Sequence, residues 1–179
     1  MSIQIDTSWT LFLDRDGVIN RRNFHGYIKS RQDFEFLEGV KEGLQSLSNK
    51  VGRIIVVTNQ QGVGKGLMDE EQLDDIHQYM KEELARFGVT IHAVYSAVNL
   101  RGAVEDRRKP LNVMGLEAKH DFPEIDFHKS IMVGDTASDI QFGKNLGMKT
   151  VLIRSKEKVS ENADIVVNNL IELANELEK

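Results

Sequence analysis

Short apolar runs alternate along this chain with segments in which apolar residues return every three or four positions. The runs "WTLFLD", "RIIVVTN", "IHAVYSAV", "KSIMVGD", "KTVLIR" and "ADIVV" are apolar almost throughout and rich in β-branched residues. That composition suits strands covered on both faces, as in a parallel sheet. Between them Leu37, Val40, Leu44 and Leu47 keep helical spacing, as do Leu73, Ile76, Met80, Leu84 and Phe87. The second of these helices opens on Asp69 with Gln72 three residues later, a capping pair. A further helix is predicted over 139–146, stopped by Gly147, and "NNLIELANELEK" predicts a closing amphipathic helix. Strand and helix in alternation predict an α/β fold: a doubly wound, mainly parallel sheet with helices on both faces. With 14 glycines, 2 prolines, no linker-like stretch and no internal repeat, residues 1–179 are expected to form one domain.

Charge and cysteine content narrow the function further. Lys+Arg 23 against Asp+Glu 28 gives a net charge of −5 with no long run of one sign, which disfavours a nucleic-acid partner. The chain has no cysteine, so disulfides and thiolate metal sites are excluded. The opening "MSIQIDTSWTLFLD" lacks the basic start and apolar stretch of a secretory signal, and no apolar segment is long enough to span a bilayer. A cytoplasmic protein without a membrane partner is the expectation.

In doubly wound sheets reactive residues gather where strands end at their carboxyl edge. The first strand runs into "LDRDGVIN", where Asp14 and Asp16, two apart, face one side. Carboxylates that close need a cation or a proton between them, unless they are merely a solvated turn. The second strand runs into "TNQQGVGKG", which is not a nucleotide P-loop. That pattern needs glycine where Asn59 stands and a hydroxyl where Gly66 stands. Thr58 and the successive amides after it form either an anion-binding concavity or an ordinary polar loop. After the third strand come Arg107, Arg108 and Lys109, just before Pro110; they are surface charge unless turned inward. After the fourth, "VGDTASDI" places Asp135 at the sheet edge, or as a helix cap, and Asp139 in the first helical turn. Together these strand ends offer oxygen ligands for a hard cation such as magnesium, a phosphate cradle and a positive charge. That is the inventory of phosphoryl transfer.

In order, "FLDRDGVIN", "VVTNQQGVGKG", "RRKP" and "VGDTASDI" resemble the four motifs of the haloacid dehalogenase (HAD) superfamily. The resemblance runs from about Trp9 to the closing helix. "DRDGVIN", "HGYI" and "TNQQG" resemble, more narrowly, the group holding heptose-bisphosphate and histidinol-phosphate phosphatases. The resemblance implies a HAD-like Rossmannoid fold and a Mg²⁺-dependent phosphatase. Asp14 would be the nucleophile and Asp16 the acid/base. Asp14, the Asp16 backbone carbonyl and Asp135 would hold the metal, with Asp139 in support. Thr58 and the amides of Asn59 and Gln60 would bind the phosphoryl group, and Lys109 would neutralise it. Gly26, Tyr27, Gln61 and Arg108 would face the rest of the substrate, while Lys65 would have no catalytic duty. Heptose-bisphosphate phosphatases usually carry a Cys/His zinc loop before the lysine motif. Here the loop over 96–108 has no cysteine, and His92 is the only histidine near it, so no zinc is expected. The gaps after strands one and two are too short for a cap domain. The expected substrate is a small phosphate ester, D-glycero-D-manno-heptose 1,7-bisphosphate first and histidinol phosphate as the alternative. A DNA 3′-phosphatase stands further back, as does a non-catalytic phosphosugar-binding protein, which has no need of both Asp14 and Asp16. A monomer or weak homodimer is expected.

Overall fold

The computed structural model describes residues 3–156, 158–160 and 162–178. In chain order the elements are β1 (Ile3–Gln4), β2 (Thr10–Leu13), a 3-10 turn (Arg31–Asp33), α1 (Val40–Ser48), β3 (Arg53–Asn59), the short α2 (Gln61–Gly64), α3 (Glu70–Ala85), β4 (Ala93–Ala97) and α4 (Val113–Asp121). A second 3-10 turn (Phe127–Lys129) then leads into β5 (Ser130–Gly134), α5 (Ala137–Leu146), β6 (Lys149–Ile153), β7 (Ile165–Val167), α6 (Leu170–Glu176) and β8 (Leu177–Glu178). Six strands form one parallel sheet in the order β4-β3-β2-β5-β6-β7.

Alternation along the strands sorts the core into two layers. Leu11, Leu13, Ile54, Val56, Ile131 and Val133 pack with the apolar stripes of α1, α3 and α6. Phe12, Ile55, Val57 and Met132 face the other way, against Met114 and Ala118 of α4 and Phe142 of α5. Every one of these strand residues is essentially sealed from solvent, worth roughly 1.5–3 kcal/mol for each large side chain buried. The sheet is therefore wound on both faces, as the pattern predicts.

The Asp69–Gln72 capping box opens α3, and Gly147 closes α5 with a left-handed φ of 78°. Two features depart from the sequence expectation. Helix α4 was not predicted: its buried positions are Met114, Gly115 and Ala118, too small and too few to make an apolar stripe. The closing helix also stops at Glu176, because β8 pairs in parallel with β1 instead of continuing the coil.

Placement of the site follows from the sheet order. β2 lies between β3 and β5, with Leu13 level with both Val56 and Val133. Asp14 comes next and anchors its backbone N–H to Val133 O at 2.9 Å. The carboxyl ends of three neighbouring strands thus converge beside Asp14. Among the described residues, the segments after β2 and β3 carry only the first 3-10 turn and α2 before the next long helix.

Candidate active site

At this edge Lys109 is fully buried, its Nζ 2.8 Å from Asp14 Oδ1, 2.6 Å from Asp139 Oδ1 and 2.7 Å from the carbonyl of Val57. Burial disfavours its charge, but Asp139 and Asp14 outweigh burial and hold the ammonium above the ordinary lysine value. Asn59 fixes the lysine's backbone from the neighbouring strand: its side chain accepts from Lys109 N (2.9 Å) and donates to Lys109 O (3.2 Å). Asp139 is locked as well, because its Oδ2 accepts from the N–H of Asp135, the N–H of Thr136 and the Thr136 hydroxyl. Two glycines make this packing possible. A Cβ on Gly134 would lie 2.0 Å from Asp139 Cβ, and one on Gly17, at φ +91°, would lie 2.1 Å from Asp135 Oδ2.

Asp16 is held differently. It accepts from Arg15 (3.0 and 3.2 Å), Asn20 (2.8 Å) and Gln60 (2.8 Å). Burial pushes its pKa up, but the Arg15 charge and these hydrogen bonds outweigh burial and keep it below the usual carboxylate value. Asp14 goes the other way: burial first, then the charge of Asp139, push it up to about 6 against the pull of Lys109. Burial and the Asp14 charge push Asp135 up to about 8. Asp14, Asp135 and Asp139 each bring a carboxylate oxygen within 4.8 Å of the others, all buried. An all-oxygen set of crowded acids whose protons are hard to remove fits a hard divalent cation. Arg22 also reaches this group: its Nη2 donates to Asp135 Oδ1 at 2.7 Å and to Asp16 O at 3.2 Å, and lies 4.0 Å from Asp14 Oδ2.

A cleft of about 260 Å³ opens over these groups. Of the residues singled out in the sequence, Asp14, Asp16, Gly26, Tyr27, Asn59, Gln60, Arg108, Lys109 and Asp139 line it. Thr58 and Asp135 lie outside its lining, Thr58 fully buried beneath and Asp135 beside the adjoining cavity. Gln61 starts α2 and does not border the cleft. The backbone N–H of Gln60 donates into the sheet, to Ala97 O at 2.8 Å, which removes it from the phosphate cradle. The Gln60 side chain instead links Asp16 to Thr58 Oγ1. Lys65 stacks its ammonium 5.6 Å from the centre of the Tyr27 ring.

Arg22, Thr136 and Ser138 also line the cleft, and sequence reasoning passed over Thr136, Ser138 and the support beneath Asp16. That support is Arg15, fully buried, whose Nη1 lies 3.1 Å from His77 Nε2 on α3. Burial, then the Arg15 charge, drive the His77 pKa down to about 3. A neutral histidine that is an acceptor here has an ordinary pKa of about 6.5 when unfolded. The unfolded chain therefore takes up a proton that the folded chain refuses. The stability this represents is complete above pH 6.5 and is lost as pH falls toward 3. Asp14 and Asp135 titrate with the opposite sign over part of this range, so a difference between two proteins isolates the histidine. Between pH 7 and 4.5 wild type should lose on the order of 2 kcal/mol relative to His77→Gln, which accepts from Arg15 without titrating. Parallel denaturation curves at both pH values check this; equal changes would show that His77 is not held neutral.

Comparison with known proteins gives this arrangement a family. The model of the family described as polynucleotide kinase 3 phosphatase matches residues 11–172. The D-glycero-alpha-D-manno-heptose-1,7-bisphosphate 7-phosphatase of Burkholderia mallei is 41% identical over 170 residues, covering 89% of this chain and 88% of that protein. The D-glycero-beta-D-manno-heptose-1,7-bisphosphate 7-phosphatase of Photorhabdus laumondii is 34% identical over 176 residues, 91% of this chain and 92% of the relative. Among solved structures, the D,D-heptose 1.7-bisphosphate phosphatase of B. bronchiseptica, complexed with magnesium and phosphate, superposes with a TM-score of 0.84 at 25% identity. That match covers 93% of this chain and 96% of the other. Taken with the buried aspartate–lysine cluster at the sheet edge, these matches show that the chain belongs to the polynucleotide kinase 3 phosphatase family and is a HAD-type phosphoric monoester hydrolase of the heptose-bisphosphate phosphatase group.

Proposed function

We propose that this chain is a Mg²⁺-dependent sugar-bisphosphate phosphatase working through a phosphorylated Asp14, with D-glycero-D-manno-heptose 1,7-bisphosphate as its substrate. The observation that carries this reading is the sealed Asp14–Lys109–Asp139 cluster beneath a cleft with Arg108 at its side. The named relatives at 34–41% identity support the choice of substrate. Asp14, the Asp16 carbonyl and Asp135 would hold the cation. When bound, it supplies the positive charge that keeps Asp14 and Asp135 ionised and orients the phosphoryl group.

In the first step the Asp14 carboxylate attacks phosphorus, and Lys109 offsets charge on the phosphoryl oxygens. Asp16 protonates the departing sugar oxygen, then takes a proton from the water that hydrolyses the acyl phosphate. The hydrogen bonds from Arg15, Asn20 and Gln60 favour its ionised form, which is the form the second step needs. To act as acid in the first step, Asp16 has to loosen at least one of these donors and carry a proton.

The cleft of about 260 Å³ is below the roughly 300–1,000 Å³ of typical ligand sites, so it encloses the reacting end and leaves the remainder of the substrate at the rim. Half-buried Arg108 lies there and favours a second anionic group over the amine of histidinol phosphate, by on the order of 1 kcal/mol. The acidic balance of −5 likewise favours a small metabolite over a polynucleotide end. Phosphate release should therefore show a higher kcat/KM for the heptose bisphosphate than for histidinol phosphate. Arg108→Ala should cost roughly fivefold more on the bisphosphate than on a matched monophosphate. A preference for histidinol phosphate, or equal losses on both esters, would refute this substrate assignment.

A further inference from the structure

Arg22 stands where its charge needs an explanation. Its Nη2 is 2.7 Å from Asp135 Oδ1, 3.2 Å from the Asp16 carbonyl and 4.0 Å from Asp14 Oδ2. These residues supply the three oxygens assigned above to the cation. Mg²⁺ binds oxygens at about 2.0–2.1 Å, so an ion sharing these ligands would overlap Nη2 and be repelled by its charge. We propose that Arg22 is a tethered cation that holds the metal's place in the metal-free chain, so that Mg²⁺ enters only by expelling it and Arg22 sets the affinity for the metal. The inference rests on the metal assignment proposed above.

The surroundings fit both positions of the side chain. Asp14, Asp135 and Asp139 against Lys109 alone leave a formal surplus of two negative charges, and Arg22 offsets one of them. Mg²⁺ would offset both, which gives the exchange a driving force. Arg22 lies outside any regular element, in the segment between β2 and α1, and its side chain is about one-fifth exposed while that of Asp135 is nearly sealed. It borders the catalytic cleft on one side and on the other a cavity of about 560 Å³, whose wall carries Phe24, Glu38 and Asn169 together with the cations Arg21, Arg154 and Lys156. An expelled guanidinium has room without any movement of the sheet. An ordinary structural ion pair would behave differently, because Arg22 would stay in place and its loss would leave metal binding unchanged or weaker.

Calorimetric titration of the substrate-free protein with MgCl₂ separates the two. Arg22→Met should bind Mg²⁺ roughly tenfold more tightly than wild type, since the competitor is gone. Arg21→Met is the control for charge acting through space: Arg21 is exposed and paired with Glu35, and its loss should change the dissociation constant less than twofold. Equal affinities for wild type and Arg22→Met, or equal tightening in both variants, overturn the inference and leave the metal assignment standing. Absence of Mg²⁺ binding in wild type and Arg22→Met alike removes the metal assignment and the inference with it. Should Arg22→Met fail to fold without metal, the wild-type Arg22 side-chain N–H resonance decides. It should shift and lose protection from exchange as Mg²⁺ saturates the protein, and a resonance unchanged at saturation overturns the inference.

Discussion

Asp14→Asn should reduce turnover on the order of 10⁴-fold or more while leaving the fold intact. Asparagine keeps the shape of the side chain and can still face Lys109, but it has no charge with which to attack phosphorus. The folded state should tolerate the change well, because Asp14 is a crowded acid whose pKa stands at about 6. Removing its charge relieves repulsion from Asp139 even as it weakens the ion pair with Lys109. Steady-state rates together with a thermal melt check both parts. Residual activity within tenfold of wild type, in a preparation free of other phosphatases, would exclude covalent catalysis at Asp14.

Lys109→Met should abolish activity and also cost stability, by about 3–5 kcal/mol, or roughly 10 °C in melting temperature. Methionine fills much of the space but leaves Asp14 and Asp139 buried together without the ammonium between them. The Val57 carbonyl also loses its donor. Removing one partner from a sealed ionic cluster is far more damaging than removing a surface pair such as Arg21–Glu35. A melt within a degree or two of wild type would show that the cluster is not held by this charge.

The sheet was legible in the sequence because its strands are buried on both sides and so read as unbroken apolar runs, "RIIVVTN" above all. The start of α3 was legible because a capping box is a local signal, complete within four residues. Asp14, Asp16 and Asp139 were legible because each closely follows a strand, Lys109 because it lies in the loop after one, and a doubly wound sheet brings those ends together. Arg15 was not. It sits between the two acids in sequence, but its burial depends on His77, 62 residues further on, and no spacing reports that contact. The arginines in the segments after β2 and β4 were equally opaque. Arg21, Arg31 and Arg107 turn away to Glu35, Asp75 and Glu117, whereas Arg22 and Arg108 line the cleft. Which arginine turns away to a surface carboxylate and which borders the cleft is decided by tertiary neighbours, not by the composition of the loop.

The Asn59–Lys109 clamp ties together residues 50 apart in the chain, and the contact between Lys109 and Asp14 spans 95. Contacts of that range close large loops and are entropically costly until most of the intervening structure is in place. Asp14 arrives with β2, the clamp with β3, the lysine only after β4, and Asp139 only with α5. No isolated hairpin or half-sheet of this chain holds all four. Catalytic competence is thus a property of late assembly: it appears when the central strands have found one another, and a partly folded chain carries the motifs without the chemistry.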